Sequence, residues 1–236
     1  MTGPGNNTYL LIGGNGSASL IDAGVGESAH LEELASVLDE RRARLEMVLV
    51  THGHRDHAGG APAIAAAFPE AVFTKYPWPE EDAHHHVAWR PAGDGDVIVA
   101  AEEPLTALHT PGHSPDHMAF WHQPSGTIFT GDLAQYLASL ERLLALAPRR
   151  LLPAHGPAVD DPRTVLVGYL EHRRRRERQV LDALRAGHGS VQAIAESIYD
   201  GLAPALMQAA RENVRAHLEK LRTDGLAANE DGRWTP

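Results

Sequence analysis

No cysteine occurs in the 236 residues, which excludes disulfides, a thiolate nucleophile and any cysteine-containing metal site. Long apolar runs are missing too. No segment approaches the roughly 20 residues needed to cross a bilayer. The first residues, Met1-Thr2-Gly3-Pro4-Gly5-Asn6-Asn7, lack the basic and apolar regions of a signal peptide. The sequence therefore reads as soluble and cytoplasmic, with no membrane among its partners. Basic residues are scarce beside acidic ones, 21 Lys and Arg against 31 Asp and Glu, for a net charge of −10. Residues 1–161 carry −12 and residues 162–236 carry +2, so the acidic excess is confined to the first part. That balance excludes binding nucleic acid by bulk charge. With 43% hydrophobic and 22% charged residues, the chain suffices for one large domain and a small appendage.

Histidine, in contrast, is plentiful. Of 15 histidines, three fall within Thr51-His52-Gly53-His54-Arg55-Asp56-His57. This stretch follows the apolar run Met47-Val48-Leu49-Val50 and precedes Ala58-Gly59-Gly60. It reads as a buried strand opening into a loop and then a helix over residues 62–68. A strand end is a rigid mount from which alternate side chains converge. Neutral imidazoles and carboxylates are the donors that borderline divalent ions such as zinc favour. The triplet His84-His85-His86 is different, because three adjacent imidazoles cannot all face one way. It reads as part of an exposed loop over residues 76–90, at the rim of a cleft.

The remaining chain repeats one pattern. Strands are expected over residues 7–12 and 17–21 around a glycine-rich turn. An amphipathic helix follows over 27–44. Further strands fall at 71–75, 96–100, 105–109, 118–121, 127–130 and 150–152, with a helix over 135–147. His113, Asp132 and His155 each sit at or just past the end of such a strand, beside a glycine. Strands sharing one edge would gather them with the first cluster. Asp22 closes the second strand and reads equally well as a support for the metal loop or as an ordinary turn aspartate. Asp116 and His117 read as supporting residues, and His30, His109 and His122 as non-ligands. Residues 162–186, 191–199 and 204–222 read as helices, and a turn at Glu230-Asp231-Gly232 suggests a closing hairpin, together a winged-helix-like module.

Thr51 to His57, Thr110-Pro111-Gly112-His113, Phe129-Thr130-Gly131-Asp132 and Pro153-Ala154-His155-Gly156 together resemble, in order, the motifs of the metallo-β-lactamase-fold hydrolases. The resemblance implies an αββα sandwich over residues 1–161, in the mixed α/β class, followed by the winged-helix-like module of residues 162–236. It implies one metal held by His52, His54 and His113, a second by Asp56, His57 and His155, and Asp132 bridging them. Two Zn2+ ions, with Mn2+ or Fe2+ as alternatives, would lower the pKa of a shared water from ~15.7 towards ~7 and polarise the substrate oxygen. Asp132 would fix the metal spacing and Asp56 would orient the nucleophile. Asp132 stands where zinc β-lactamases of the cysteine-ligand type carry cysteine, which argues against a dedicated antibiotic hydrolase and leaves weak promiscuous β-lactamase activity open.

Leu-Pro-Ala-His-Gly-Pro at 152–157, the segment 168–173 and the C-terminal module are similar to the β-lactamase-like protein 2 branch. That branch implies a phosphodiesterase acting on single-stranded RNA, with Arg173 to Arg176 as contacts. Against this, the arginine run also reads as a solvated helix face paired with Glu171 and Glu177. The alternative is a glyoxalase II-like hydrolase of small-molecule thioesters, esters or lactones, its acyl pocket lined by Trp78, Trp89 and Trp121. A metal-sensing DNA-binding module is a third class, poorly served by a tail of +2, and a homodimer is a further arrangement the tail would permit. The family usually has a loop of roughly a dozen residues after the aspartate; here Leu133 leads straight to a helix at Gln135.

Overall fold

The computed structural model describes residues 5–133 and 137–236. It divides into two compact units, Met1–Val167 and Gly168–Pro236. In the first unit, strands β1 (Tyr9–Ile12), β2 (Ser17–Ile21), β3 (Arg44–Leu49), β4 (Val72–Lys75) and β5 (Trp89–Pro91) form one sheet in that order. Strands β6 (Val97–Ala100), β7 (Glu103–His109), β8 (Met118–His122), β9 (Thr127–Gly131) and β10 (Arg150–Pro153) form a second, ordered β10-β9-β8-β7-β6.

Side-chain alternation explains why the sheets stack. On β2, Ala18 and Leu20 join Leu34 and Leu38 of helix α1 (Ser28–Arg41) and Ile64 of helix α3 (Ala61–Ala67) in one buried cluster. Ile21 of β2 and Leu49 of β3 instead join Leu105, Ala107, Met118, Phe120 and Phe129 of the second sheet. Strands β2 and β3 are thus buried on both faces, as parallel strands with helical crossovers must be. Each large apolar side chain so buried contributes about 1.5–3 kcal/mol, which makes these two strands the rigid part of the platform. The second sheet is covered by helix α5 (Leu137–Ala145), whose Leu140 and Leu143 are buried and whose Ser139 hydroxyl donates to the Pro111 carbonyl at 2.9 Å. Helix, sheet, sheet and helix follow in layers, as expected.

Register brings four loops to one edge. Ile21 pairs with Leu49, setting Asp22 beside the chain that continues into Thr51. Gly131 pairs with Pro153, setting Asp132 beside the segment that carries His155. His109 pairs with Met118, so the intervening loop with His113 opens at the same end of β7 and β8. The Met118 N–H donates to the Thr51 carbonyl at 2.7 Å and ties the two sheets together there.

Some elements differ from expectation. Helix α1 stops at Arg41 because Arg42 turns left-handed (φ 52°) and returns its N–H to the Asp39 and Leu38 carbonyls, which frees Arg44 to pair with Ser17 in the sheet. Residues 76–90 are not simply an exposed loop. They hold a short helix α4 (Pro79–Asp82) and lead into edge strand β5, and His85 between them is buried whereas His84 and His86 are exposed. The predicted helix start at Gln135 and the short link after Leu133 lie outside the described residues. Among the described residues, no helix is long and apolar enough to cross a membrane.

Helix α6 (Pro162–Arg185) contains the division between the two units. In the second unit its C-terminal half, α7 (Val191–Ile198), α8 (Pro204–Thr223) and the hairpin β11 (Ala228–Glu230)–β12 (Arg233–Thr235) enclose Val180, Leu184, Ile194, Val214, Leu218 and Trp234. Ser190 caps α7 by accepting from the Ala193 N–H at 3.1 Å. The hairpin turns on Asp231 (φ 50°) and Gly232 (φ 84°), two successive positive-φ residues as a tight two-residue turn requires. The arginine run is not a uniformly solvated face paired with Glu177. Arg176 lies over the Tyr199 ring at 4.3 Å, Arg173 is half-buried, and Glu177 pairs instead with Lys220 at 3.1 Å.

Candidate metal centre

Asp22 holds the loop that follows β3. Its carboxylate is buried and accepts from the Thr51 N–H (2.8 Å), the Thr51 hydroxyl (2.9 Å) and His57 Nδ1 (2.8 Å). Of the two roles the sequence allows for Asp22, the structure thus puts its side chain on the loop. Helix α2 (Arg55–Ala58) follows directly on His54, and the Ala23 N–H reaches back to the His57 carbonyl at 2.7 Å. His52 and His57 consequently have no freedom of approach: both are fully buried, whereas His54 and Asp56 are partly open.

All seven residues singled out as ligands meet at the shared sheet edge. His54 Nδ1 lies 3.1 Å from His52 Nε2 and 2.9 Å from His113 Nε2. On the other side, Asp56 Oδ2 lies 3.3 Å from His155 Nε2 and 3.6 Å from His57 Nε2. Asp132 divides its carboxylate between the two sets. Its Oδ2 is 3.0 Å from His113 Nε2, and its Oδ1 is 3.2 Å from His155 Nε2 and 3.5 Å from His57 Nε2. Donor atoms around a tetrahedral ion with bonds of about 2.0–2.1 Å stand about 3.4 Å apart, which is the spacing seen here.

Hydrogen bonding alone does not account for these atoms. His57 Nε2, His155 Nε2 and Asp132 Oδ1 are buried without a hydrogen-bond partner, a costly arrangement for polar atoms unless something else engages them. The outer nitrogens are occupied: His57 Nδ1 by Asp22, His155 Nδ1 by the Gly5 carbonyl at 3.0 Å and His52 Nδ1 by the Thr51 hydroxyl at 3.1 Å. Orienting the far nitrogen while leaving the near one open is how a protein prepares a histidine for a metal. The donor set of five imidazoles and two carboxylates fits two divalent ions.

A family model described as the metallo-beta-lactamase superfamily matches residues 1–165. The chain belongs to this superfamily. A second model, the beta-lactamase associated winged helix domain, matches residues 190–234. Among similar proteins, an atrochrysone carboxyl ACP thioesterase of Aspergillus fumigatus is 35% identical over 198 residues, with 77% of this chain covered. The chain spans 60% of that thioesterase's length. A beta-lactamase-like protein 2 homolog of Drosophila melanogaster is 30% identical over 250 residues, covering 95% of this chain and 85% of the fly protein. A metallo-beta-lactamase family protein of Thermus thermophilus has the same fold, with a TM-score of 0.75 over 98% of this chain and 93% of its own, at 22% identity. A protein solved in a di-iron-bound form superposes with a TM-score of 0.57, 27% identity, and coverage of 68% of this chain and 92% of its own.

Members of the superfamily bind divalent metals, and the electrostatics of this member suit them. Burial and the neighbouring imidazoles keep His52 neutral, and burial lowers the pKa of His113 as well. His57 departs from this. Burial pushes its pKa down, but Asp22 and Asp132 outweigh burial and raise it to about 10. At 3.5 Å, Asp132 acts on His57 through charge rather than a formed hydrogen bond. Burial works against the Asp132 carboxylate too, yet His57, His113 and His155 hold its pKa at about 2.

His117 lies behind the site, bonded to the Thr110 hydroxyl at 2.9 Å, and burial holds it neutral with a pKa of about 4. A Cβ at Gly131 (φ 52°) would stand 2.8 Å from Thr51 and 2.9 Å from His117, so only glycine can present Asp132 there. Sequence reasoning missed two residues, Lys75 and His85. Lys75, at the end of β4, is buried beside Asp116 at 3.0 Å, and His85 Nε2 meets the Gly53 carbonyl at 2.9 Å. Two of the tryptophans expected to line an acyl pocket, Trp89 and Trp121, sit on different sheets. Trp89 packs edge-on to Phe73 in the first sheet's core, and Trp121 points to the opposite side of β8 from Phe120.

Proposed function

We propose that this chain is a dinuclear, zinc-dependent hydrolase of thioester and ester substrates. In this reading His52, His54 and His113 hold one ion, Asp56, His57 and His155 hold the other, and Asp132 bridges them. The observation that carries the reading is the division of the Asp132 carboxylate between the two imidazole sets. Two ions held there supply an activated water near neutral pH and polarise the oxygen of the scissile group. The protein's own groups do the rest. Asp132 fixes the distance between the sets, and neutral His52 and His113 offer lone pairs without a proton to displace. Asp56, with one oxygen turned to His155, keeps the other for orienting the attacking water. Catalysis is assigned to residues 1–161, with residues 162–236 as an appended module in a cytoplasmic protein.

The surroundings of Asp56 support this substrate class. Beside it lies a cavity of about 340 Å³ lined by Asn6, Thr8, Val25, Glu27, His30 and Asp56, among others, with no lysine or arginine. Apart from the proposed ions, the described lining offers no basic side chain to the backbone of a polyanionic phosphodiester, which favours a neutral acyl group. The thioesterase of Aspergillus fumigatus supports the same choice. The test is to give the zinc-loaded protein a series of acyl thioesters and a fluorescent single-stranded RNA. Thiol release that stops with chelator, while the RNA stays intact, is the expected result. RNA cleavage without thioester cleavage would move the assignment to phosphodiester chemistry.

Metal loading should also release a proton. With a pKa of about 10 in the metal-free protein, His57 carries a proton at pH 8 and must lose it to serve as a ligand, whereas Asp132 is already ionised. Titration calorimetry with zinc at pH 8, in buffers of different ionisation enthalpy, should show about one proton released per protein from this source. Affinity should therefore rise with pH up to about 10. Uptake of protons, or none exchanged, would contradict the pairing of His57 with Asp22.

A further inference from the structure

The peptide between the first two ligands, Gly53, is gripped on both sides by buried groups. Its N–H donates to Asp116 Oδ2 at 2.8 Å, and its carbonyl meets His85 Nε2 at 2.9 Å. Asp116 lies three residues beyond His113 in sequence, so its carboxylate joins the loop bearing His113 to the loop bearing His52 and His54. Asp116 is in turn held by Lys75, whose Nζ is 3.0 Å away, and by the Ser114 hydroxyl. Lys75 also pairs with Asp82 of α4 and donates to the Tyr76 carbonyl at 2.8 Å. The side chains of Lys75 and Asp116 are both fully buried.

We propose that Lys75 is a positioning residue for the first metal set, acting through Asp116 and Gly53 on the separation of His52, His54 and His113. A buried carboxylate without a cation is strongly disfavoured, so Lys75 fixes both the charge and the direction of Asp116. Asp116 then fixes the rotation of the Gly53 peptide, and that peptide sets how far apart its two flanking imidazoles stand. A Cβ at this point would stand 2.8 Å from Glu81 Cγ of α4, so any side chain here would have to displace Glu81. The second set has a separate support in Asp22. Lys75 should therefore govern the first set and leave the second alone.

The inference rests on the two-metal reading, and the experiment separates the two. Metal-free wild type, Lys75→Met, Asp116→Asn and the double variant are titrated with cobalt(II) against a competing chelator, following absorbance and bound-metal stoichiometry. Lys75→Met should weaken one of two ions about 10–100-fold, the usual range for groups that support metal ligands, and leave the other unchanged. The double variant should be no worse than the more affected single variant, as expected for residues acting in series. If Lys75→Met does not fold, His85→Phe tests the same grip from the carbonyl side and should weaken the same ion, with His85→Gln, which keeps a donor, restoring it. Wild type that binds fewer than two ions overturns the two-metal reading. Wild type that binds two, with variants that bind both as tightly or weaken both equally, overturns the role of Lys75 alone.

Discussion

Asp132→Ala is expected to lower kcat/KM for thioester hydrolysis by at least about three orders of magnitude, or about 4 kcal/mol of transition-state stabilisation. Its two oxygens face the near nitrogens of both metal sets: Oδ2 faces His113 at 3.0 Å, and Oδ1 faces His155 at 3.2 Å and His57 at 3.5 Å. Removing it takes a ligand from each ion, and it also removes one of the two carboxylates that oppose the His57 charge. Asp132→Asn keeps the shape but only one strong acceptor oxygen, so it should fall between wild type and alanine. Rates should be read beside bound-metal content. A protein that keeps two ions and full activity without Asp132 would refute the bridging assignment.

Asp22→Ala should have the largest effect on the metal-free protein. The pair it breaks, His57 Nδ1 to Asp22 Oδ2, is 2.8 Å long with side chains 0% and 2% exposed. Breaking a buried pair from one side costs about 3–5 kcal/mol, which for a chain of this size lowers Tm by roughly 6–20 °C. The pH dependence gives a separate signature. Because folding raises the His57 pKa from 6.5 to about 10, its contribution is complete below pH 6.5 and is lost as pH rises towards 10. Asp132 works in the opposite direction. Its lowered pKa of about 2 adds stability above 3.8 that disappears as pH falls through 2. Thermal melts of metal-free protein from pH 6 to 10 should therefore decline for wild type and be flatter for Asp22→Ala. Parallel declines would place the pH dependence elsewhere.

Much of this site was legible because its ligands stand at strand ends. An apolar run closed by glycine marks where a strand stops, and a histidine or aspartate at that point has few directions in which to face. His52, His113, Asp132 and His155 all carry that mark. Lys75 does not. In the sequence it is a polar residue ending a short strand, and its burial depends on Asp82 from α4 and Asp116 from the loop after β7, neither of which local pattern reveals. Strand β5 has three residues, one of them arginine and one proline, too few for any periodicity to show. His85 was hidden inside a triplet, where helix α4 turns only the middle imidazole inward. Trp121 was misplaced for a simpler reason: alternation along β8 gives its side, but only the sheet packing shows which side is the core.

The four ligand-bearing loops belong to different sheets. His52, His54, Asp56 and His57 follow β3 of the first, whereas His113, Asp132 and His155 follow β7, β9 and β10 of the second. An ion in either proposed set therefore staples one sheet to the other. The sandwich could not shear or part along its seam without shedding metal, so loading would reinforce the shared core that already joins the sheets. Amide hydrogens far from the ions, deep in both sheets, would then exchange together and only as fast as the metal lets go.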